Sequence, residues 1–473
     1  MTESATPAEI ERSPWSDRRS ALGVAWVLLG TLFVWAFALH EWAGYGPSLT
    51  VFAAAATLLC LADERASVVL FIGCSALDAY GFITHVPFSL SISRVVVVAV
   101  VAGAALRWLR TKPRTRLTWR ALSAWDLGVL LFLAAAVLSV PLSYSLSLSG
   151  VGILHLAFLT GAYFVLSRAA RTAEGRSDIA LATIAAGSLT AAVALGQAFV
   201  TGFPLEVLRA TQAIGESAEV VRASGFFDNP NTAALLLVLS ALFAAERAFA
   251  AERLTRKALY AGAVVLALAG IGVSFSRAAL IGVAVGAVVL GALLIRRARE
   301  RVAFLVGLVA LFALVLAIPG VGERAYSIVD FTTDSSAMDR VYLSEVSVEM
   351  FADHPVTGVG IQAFRAAYPD YVDSRVTIDP VTDGHQMPFS VPAEVGVLGL
   401  IAEVLLAGGL LYLLVQSLRA GHEPLAPAGL AAMAAVSVMA LFNTFIFFES
   451  LWIVAALVGA DFAAAHRRAT GAA

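Results

Sequence analysis

The sequence predicts an all-α integral membrane protein, a polytopic bundle of about 12–14 transmembrane helices with one large extracytoplasmic loop. Three observations lead there. Of the 473 residues, 59% are hydrophobic and 14% charged, with a mean hydropathy of +0.84, whereas a soluble domain is about half apolar and about a quarter charged. Apolar runs near the roughly 20 residues that cross a bilayer as a helix recur from end to end. These runs are continuous and rich in Ala and Leu, without the alternation of a membrane β-barrel, so strands are not expected.

Taken in order, the candidate spans are 21–39, 48–62, 67–83, 95–109, 126–141, 151–167, 178–200, 231–248, 258–274, 278–295, 302–318, 388–416, 428–446 and 450–465. The second and fourth are short, so twelve or thirteen spans also fit. Residues 1–20 form a tail, and 21–473 a single membrane domain. Ala36-Phe37-Ala38 looks like a signal-peptidase site, but the apolar run before it, 21–39, is longer than a usual signal-peptide core. It is read as an uncleaved first span.

Basic residues set the expected orientation. One side receives 24 of the 32 Lys and Arg, in stretches such as "RTKPRTRLTWR", "SRAARTAEGR", "ERLTRK" and "RRARER". The other receives 8, four of them in the long loop 319–387, and long loops are poor witnesses to the positive-inside rule. Both termini are therefore expected in the cytoplasm.

Other classes lack support. Cys60 and Cys74 both fall inside spans, which excludes a disulfide scaffold and a cysteine-based zinc site. No nucleotide loop, dinucleotide fingerprint or HExxH occurs. No metal or other cofactor is expected, and no nucleic-acid partner. Membrane lipids are the surroundings.

Two outer loops are long, 201–230 and 319–387. Loops of that length are usually functional or disordered. In the second, which carries eleven acids and four arginines, "DRVYLSEVSVEMFADHP" reads as an amphipathic helix with Val341, Leu343, Val346, Val348 and Met350 among the acids. Polar residues inside spans are costly and hence informative. Asp78, His155, Gln197, Arg277, Asn443 and Glu449 all lie in the outward half of a span or at its outer end. Together they favour a site open to the outside; singly, each is read as an interfacial or paired residue, Asp78 with Arg94 for example.

The stretch "RASGFFDNPNTAALLLVLSALF" enters an apolar helix through polar residues. Asn229 suits an N-cap and Pro230 the first helical position, where a missing N–H costs nothing, with Asn231 following. Arg222 is not explained by helix capping. A guanidinium just before an outward-facing helix N-terminus adds positive charge where anions are already attracted, and phosphate is the natural ligand. Arg277, in "GVSFSRAALIGV", repeats this far from the cytoplasmic clusters, against the alternative of a snorkelling arginine. Arg340 is a third, in "MDRVYLSE". Asp383 and His385 stand just before a span in "TDGHQMPFSVPAEVGVLGL", which also contains Glu394.

In this order, "GFFDNPNTAA", "SFSRAALIG", "MFADHPVTGVGIQAF" and "GHQMPFSVPAEVGVLGLI" resemble the O-antigen ligase and polymerase superfamily of bacterial envelope glycosyltransferases, over Arg222 to Leu400. The resemblance implies a metal-independent, C-type glycosyltransferase of the bacterial cytoplasmic membrane, with a large periplasmic loop between two late spans. It implies an undecaprenyl-pyrophosphate-linked glycan as donor and a glycan or lipid-linked acceptor. Arg222, Arg277 and Arg340 fall where the family keeps arginines for the donor pyrophosphate, and His385 on its loop histidine, where His-Asn is common and this chain has His385-Gln386. Fixed guanidinium charge suits a pyrophosphate leaving group, and a neutral imidazole accepts a hydroxyl proton. Asp383 either orients His385 or is itself the base. The alternative is a polytopic transporter or lipid-linked oligosaccharide flippase, which Glu403, deep in the span 388–416, fits.

Overall fold

The computed structural model describes residues 18–38, 45–77, 82–84, 90–111, 122–203, 210–214, 218–295, 297–316, 335–372, 383–419 and 424–470. The chain is a helical bundle. Its elements are α1 (Arg18–Ala38), α2 (Tyr45–Ala62), α3 (Glu64–Ser75), β1 (Phe82–Thr84), β2 (Leu90–Ser91), α4 (Ile92–Thr111), α5 (Ala124–Ser139), α6 (Leu146–Ala169), α7 (Ala173–Phe199), β3 (Ala210–Ile214), β4 (Ala218–Arg222), α8 (Pro230–Ala250), α9 (Leu254–Ser274), α10 (Arg277–Leu294), α11 (Ala298–Leu316), α12 (Ser335–Asp353), α13 (Phe364–Ala367), α14 (Met387–Arg419), α15 (Pro427–Ala440) and α16 (Glu449–Thr470). Each expected span coincides with a helix. Among the described residues nine helices are long and apolar enough to cross a membrane, and helices suit that setting because every interior backbone group is paired within the segment.

Two boundaries and one element type differ from expectation. The third span ends at Ser75, where the Ala76 amide bonds back to Gly73 and Cys74. The span 428–446 stops as a helix at Ala440, so Asn443 and Thr444 stand in the connection to α16. Strands do occur, as two antiparallel hairpins: β1 pairs with β2, and β3 with β4 from Ala210↔Arg222 to Ile214↔Ala218. The second hairpin lies in the loop 201–230 and brings Arg222 to its base.

Helix starts follow side-chain chemistry. Ser123 and Asp126 form a reciprocal capping box on α5, and Asp126 also accepts from the buried Tyr163 hydroxyl at 2.6 Å. Asn229 caps α8 with Pro230 at the first helical position, and Ser276 caps α10. Helix α8 is apolar on every face and buried from Thr232 to Ala244, as befits a central helix. Small residues allow close crossings: Gly187 of α7 meets Ser240 of α8, and Gly282 of α10 meets Met439 of α15. At the end of the bundle away from Asn229, Arg65 holds Asp178 with two parallel hydrogen bonds, 2.5 and 2.9 Å, tying α3 to α7.

The described part of the long loop 319–387 packs onto the bundle through α12. Its buried face is Tyr342, Leu343, Val346 and Met350, which meet Val359, Phe364, Ala367 and Ala393, while Val341 and Val348 are exposed. Beyond α12 the chain re-enters the bundle at a break in α14. Gly396 (φ 74, ψ −164) interrupts that helix, leaving carbonyls without helical partners. Val359 N donates to Ala393 O (2.8 Å), Gly360 N to Glu394 O (3.0 Å), and Val397 N to Pro355 O (2.9 Å). A side chain at Gly358 (φ 64) would overlap the Glu394 backbone, and one at Gly396 would overlap Val356 O. Both glycines are therefore required by φ and by space.

Candidate functional site

The polar residues singled out in the sequence are held by three junctions. The first is the turn between α9 and α10. Helix α9 ends at Ser274, Phe275 takes the left-handed conformation (φ 50), and α10 starts at Arg277. Arg222, half-buried at the base of the hairpin, donates from Nε to Ser274 O and from Nη2 to Asn231 Oδ1, both at 3.0 Å. The adjoining amide of Ala223 donates to Val273 O (3.0 Å). Arg222, Asn231 and Arg277 thus share one corner of the bundle.

Gln197 completes that corner from α7. Its Oε1 accepts from Ser224 N (3.2 Å) and Gly225 N (2.9 Å), and its Nε2 donates to Gly225 O (2.9 Å). A buried amide whose oxygen and nitrogen are both used by the loop backbone is structural. Asn443 is likewise buried and donates to Met439 O (3.3 Å).

The second junction is the connection between α15 and α16. Arg340, on α12, donates from Nε to Phe442 O (3.2 Å). Thr444, two residues on, bonds the Asp383 carboxylate and lies 3.2 Å from the Ser390 hydroxyl of α14. Thr444 falls inside the apolar run 428–446, which conceals it in the sequence. The signal available was an Asn-Thr pair interrupting aromatics.

The connection adjoins the first corner through the α10–α15 packing, since Gly282 lies five residues along α10 from Arg277 and touches Met439, three residues before Phe442. Arg222, Arg277, Arg340, Asp383 and His385 are therefore collected at one end of the bundle.

Asp383 and His385 form a tight local unit. His385 has φ 55, an uncommon conformation for a residue with a side chain. It is held by Asp383 Oδ1, which accepts from the His385 backbone N (2.6 Å) and sits 3.3 Å from the ring Nδ1. Burial pushes the Asp383 carboxyl up, but the hydrogen bonds and charge of His385, with the Thr444 hydroxyl, outweigh it and hold the group below its ordinary value.

Glu394 belongs to the third junction, the break in α14. It is buried, and its carboxylate accepts from Gln362 N and Phe364 N, each at 3.1 Å. Its visible work is to hold the re-entrant loop.

Two more polar residues adjoin the second junction, and others lie apart from the site. His155 of α6 stacks on Phe447 with ring centroids 5.8 Å apart, and Glu449 is buried at the start of α16. Glu403 lines an apolar cavity of about 290 Å³ with Trp125, Phe132, Met433 and Trp452. Asp78 lies outside the described residues, as do residues 319–334 and 373–382 of the long loop. No group of three or more His, Cys, Asp or Glu that could hold a metal ion occurs among the described residues.

A multi-pass helical membrane protein with arginines and a histidine–carboxylate pair gathered at one end of its bundle is the class that fold and site define. Residues 262–404 match the family model described as O-antigen ligase. The match spans under a third of the chain and marks this region as similar to O-antigen ligases. The matched region contains Arg277, Arg340, Asp383, His385 and Glu394, whereas Arg222 and Asn229 to Asn231 precede it. A comparison with curated proteins found no match.

Proposed function

We propose that this protein moves a glycan from an undecaprenyl-pyrophosphate donor to an acceptor hydroxyl, without a metal ion, on the outer face of the bacterial cytoplasmic membrane. One observation supports this above others: Arg222, Arg277 and Arg340 lie at the same end of the bundle as the Asp383–His385 unit. Guanidinium groups there stabilise the negative charge that develops on the pyrophosphate as it leaves. The acceptor oxygen attacks the anomeric carbon, the bond from that carbon to the pyrophosphate oxygen breaks, and undecaprenyl pyrophosphate departs. His385 takes the hydroxyl proton. Asp383 Oδ1 beside Nδ1 favours the tautomer with hydrogen on Nδ1 and leaves the Nε2 lone pair as the base.

The test is transfer by the purified full-length protein in nanodiscs, from an undecaprenyl-pyrophosphate glycan, with and without chelator. Transfer that survives chelation supports the reading. Transfer abolished by chelator and restored by magnesium would overturn its metal-free part, and the absence of transfer from any lipid pyrophosphate in active membranes would overturn the donor. Orientation is checked in intact cells by labelling Ser335→Cys with an impermeant maleimide in a background lacking Cys60 and Cys74. Label is expected without lysis.

A further inference from the structure

A second cavity lies at the other end of the bundle. It has a volume of about 510 Å³, within the usual range for ligand sites, and is lined by Arg176, Glu246, Arg247, Phe249, Leu294 and Leu457 among others. Arg176 is 21 residues from Gln197 along α7, roughly 30 Å at 1.5 Å per residue. The cavity is thus a helix length away from the arginine–histidine site and independent of the reading given for it.

Its basic groups are incompletely hydrogen-bonded. Arg176 donates from Nη1 to Ala170 O (3.0 Å). Arg247 has a buried Nε with no hydrogen-bond partner among the described residues. An unmade bond at a buried charged donor is costly. Two acids, Glu246 in the lining and Asp461 behind it, feel these charges, but their hydrogen bonds go to backbone amides, Glu246 accepting from Ala428 N (3.3 Å) and Asp461 from Leu425 N (2.5 Å). Two half-buried guanidinium groups therefore face a cavity whose nearby carboxylates serve the start of α15 and the residues before it.

The rest of the lining is apolar. Phe243, Leu457, Ala180 and Leu294 form its walls, and Phe249, 49% exposed, carries the apolar surface out to the perimeter. A small hydrated anion makes no use of such walls. An amphipathic anion uses both parts, and basic pockets between transmembrane helices suit phospholipid headgroups. We infer that this cavity is a binding site for the phosphate of an anionic phospholipid, seated between Arg176 and Arg247 with its chains running out past Phe249.

The experiment uses the full-length protein, delipidated in detergent. Dioleoyl phosphatidylglycerol, dioleoyl phosphatidylcholine and sodium phosphate are added separately, and bound lipid is read by native mass spectrometry alongside the thermal unfolding temperature. One retained phosphatidylglycerol and a raised unfolding temperature are expected, with at least a tenfold weaker apparent affinity in the R176Q/R247Q double variant. Arg297→Gln is the control for general charge attraction, because Arg297 is exposed and pairs with Glu300 outside the cavity; it retains the lipid. Leu294→Trp fills the cavity with both arginines intact and expels the lipid, which keeps the test decisive if the double variant does not fold. Equal retention of phosphatidylcholine, or unchanged phosphatidylglycerol binding in both the double variant and Leu294→Trp, overturns the site. Equal protection by sodium phosphate overturns the lipid as its occupant and leaves a free-phosphate site.

Discussion

Arg222 donates from Nε to the carbonyl of Ser274, the last residue of α9, and so ties the base of a β-hairpin to the turn from which Arg277 starts α10. The fork is divided, one edge on that carbonyl and Nη2 on Asn231. A lysine at 222 retains charge but lacks the planar fork whose two edges meet these two acceptors.

Changing Arg222, Arg277 or Arg340 to Ala should therefore lower transfer by about 10²- to 10³-fold, the usual effect of removing one preorganised donor from a developing anion. Lysine should recover little of it at Arg222. Donor affinity measured separately should fall as well. Wild-type turnover in Arg277→Lys would show that position 277 needs only a charge.

His385→Ala should cut turnover by about 10²- to 10⁴-fold while donor affinity stays close to that of the wild type. Asp383→Asn should have a smaller effect on turnover, because it disturbs the ring's tautomer and position without removing the base. If Asp383→Asn is inactive and His385→Ala is not, the carboxylate is the base.

Thr444→Val removes a hydrogen bond to Asp383 and the hydroxyl beside Ser390. A single bond of this kind contributes about 1 kcal/mol, or roughly five-fold in turnover. The expected signature is a lower kcat with KM for donor unchanged, in protein whose folded fraction and unfolding temperature match the wild type; a fall in either would assign the loss to folding instead.

Gly396→Ala should lower the unfolding temperature and the yield of folded protein, because a side chain at φ 74 is strained and overlaps Val356 O. Glu394→Gln tests the same break more gently. It keeps an acceptor for Gln362 N or Phe364 N and should be less destabilising than Glu394→Ala. Equal unfolding temperatures for the two Glu394 variants would contradict that role.

The pH dependence of the Asp383–His385 unit follows from the depressed carboxyl. A group whose folded value lies below its unfolded one stabilises the folded state above the unfolded value, about 4 for Asp, and loses that contribution as pH falls through the folded value. The gap in unfolding temperature between wild type and Asp383→Asn should therefore persist at pH 5 and close only on further acidification. A gap that has vanished by pH 5 would mean that the carboxylate is not held down.

What the sequence determined by itself is local. Apolar runs of helical length specify membrane helices because lipid leaves the backbone no partner outside its own segment. Asn229 and Pro230 mark the start of α8 because capping involves only neighbouring residues. The amphipathic character of α12 was legible for the same reason, although its buried stripe, Leu343, Val346 and Met350, emerged only once a packing partner was present. Tertiary structure decided the site. Arg222 and Ser274 are 52 residues apart, and Arg340 and Phe442 are 102 apart; no window on the sequence joins them. The break at Gly396 reads as one more glycine in an apolar run, and its meaning depends on Val359 and Gly360 arriving to satisfy the carbonyls it frees. A buried polar group must find a partner wherever the fold supplies one, and that partner is chosen by the packing of distant helices.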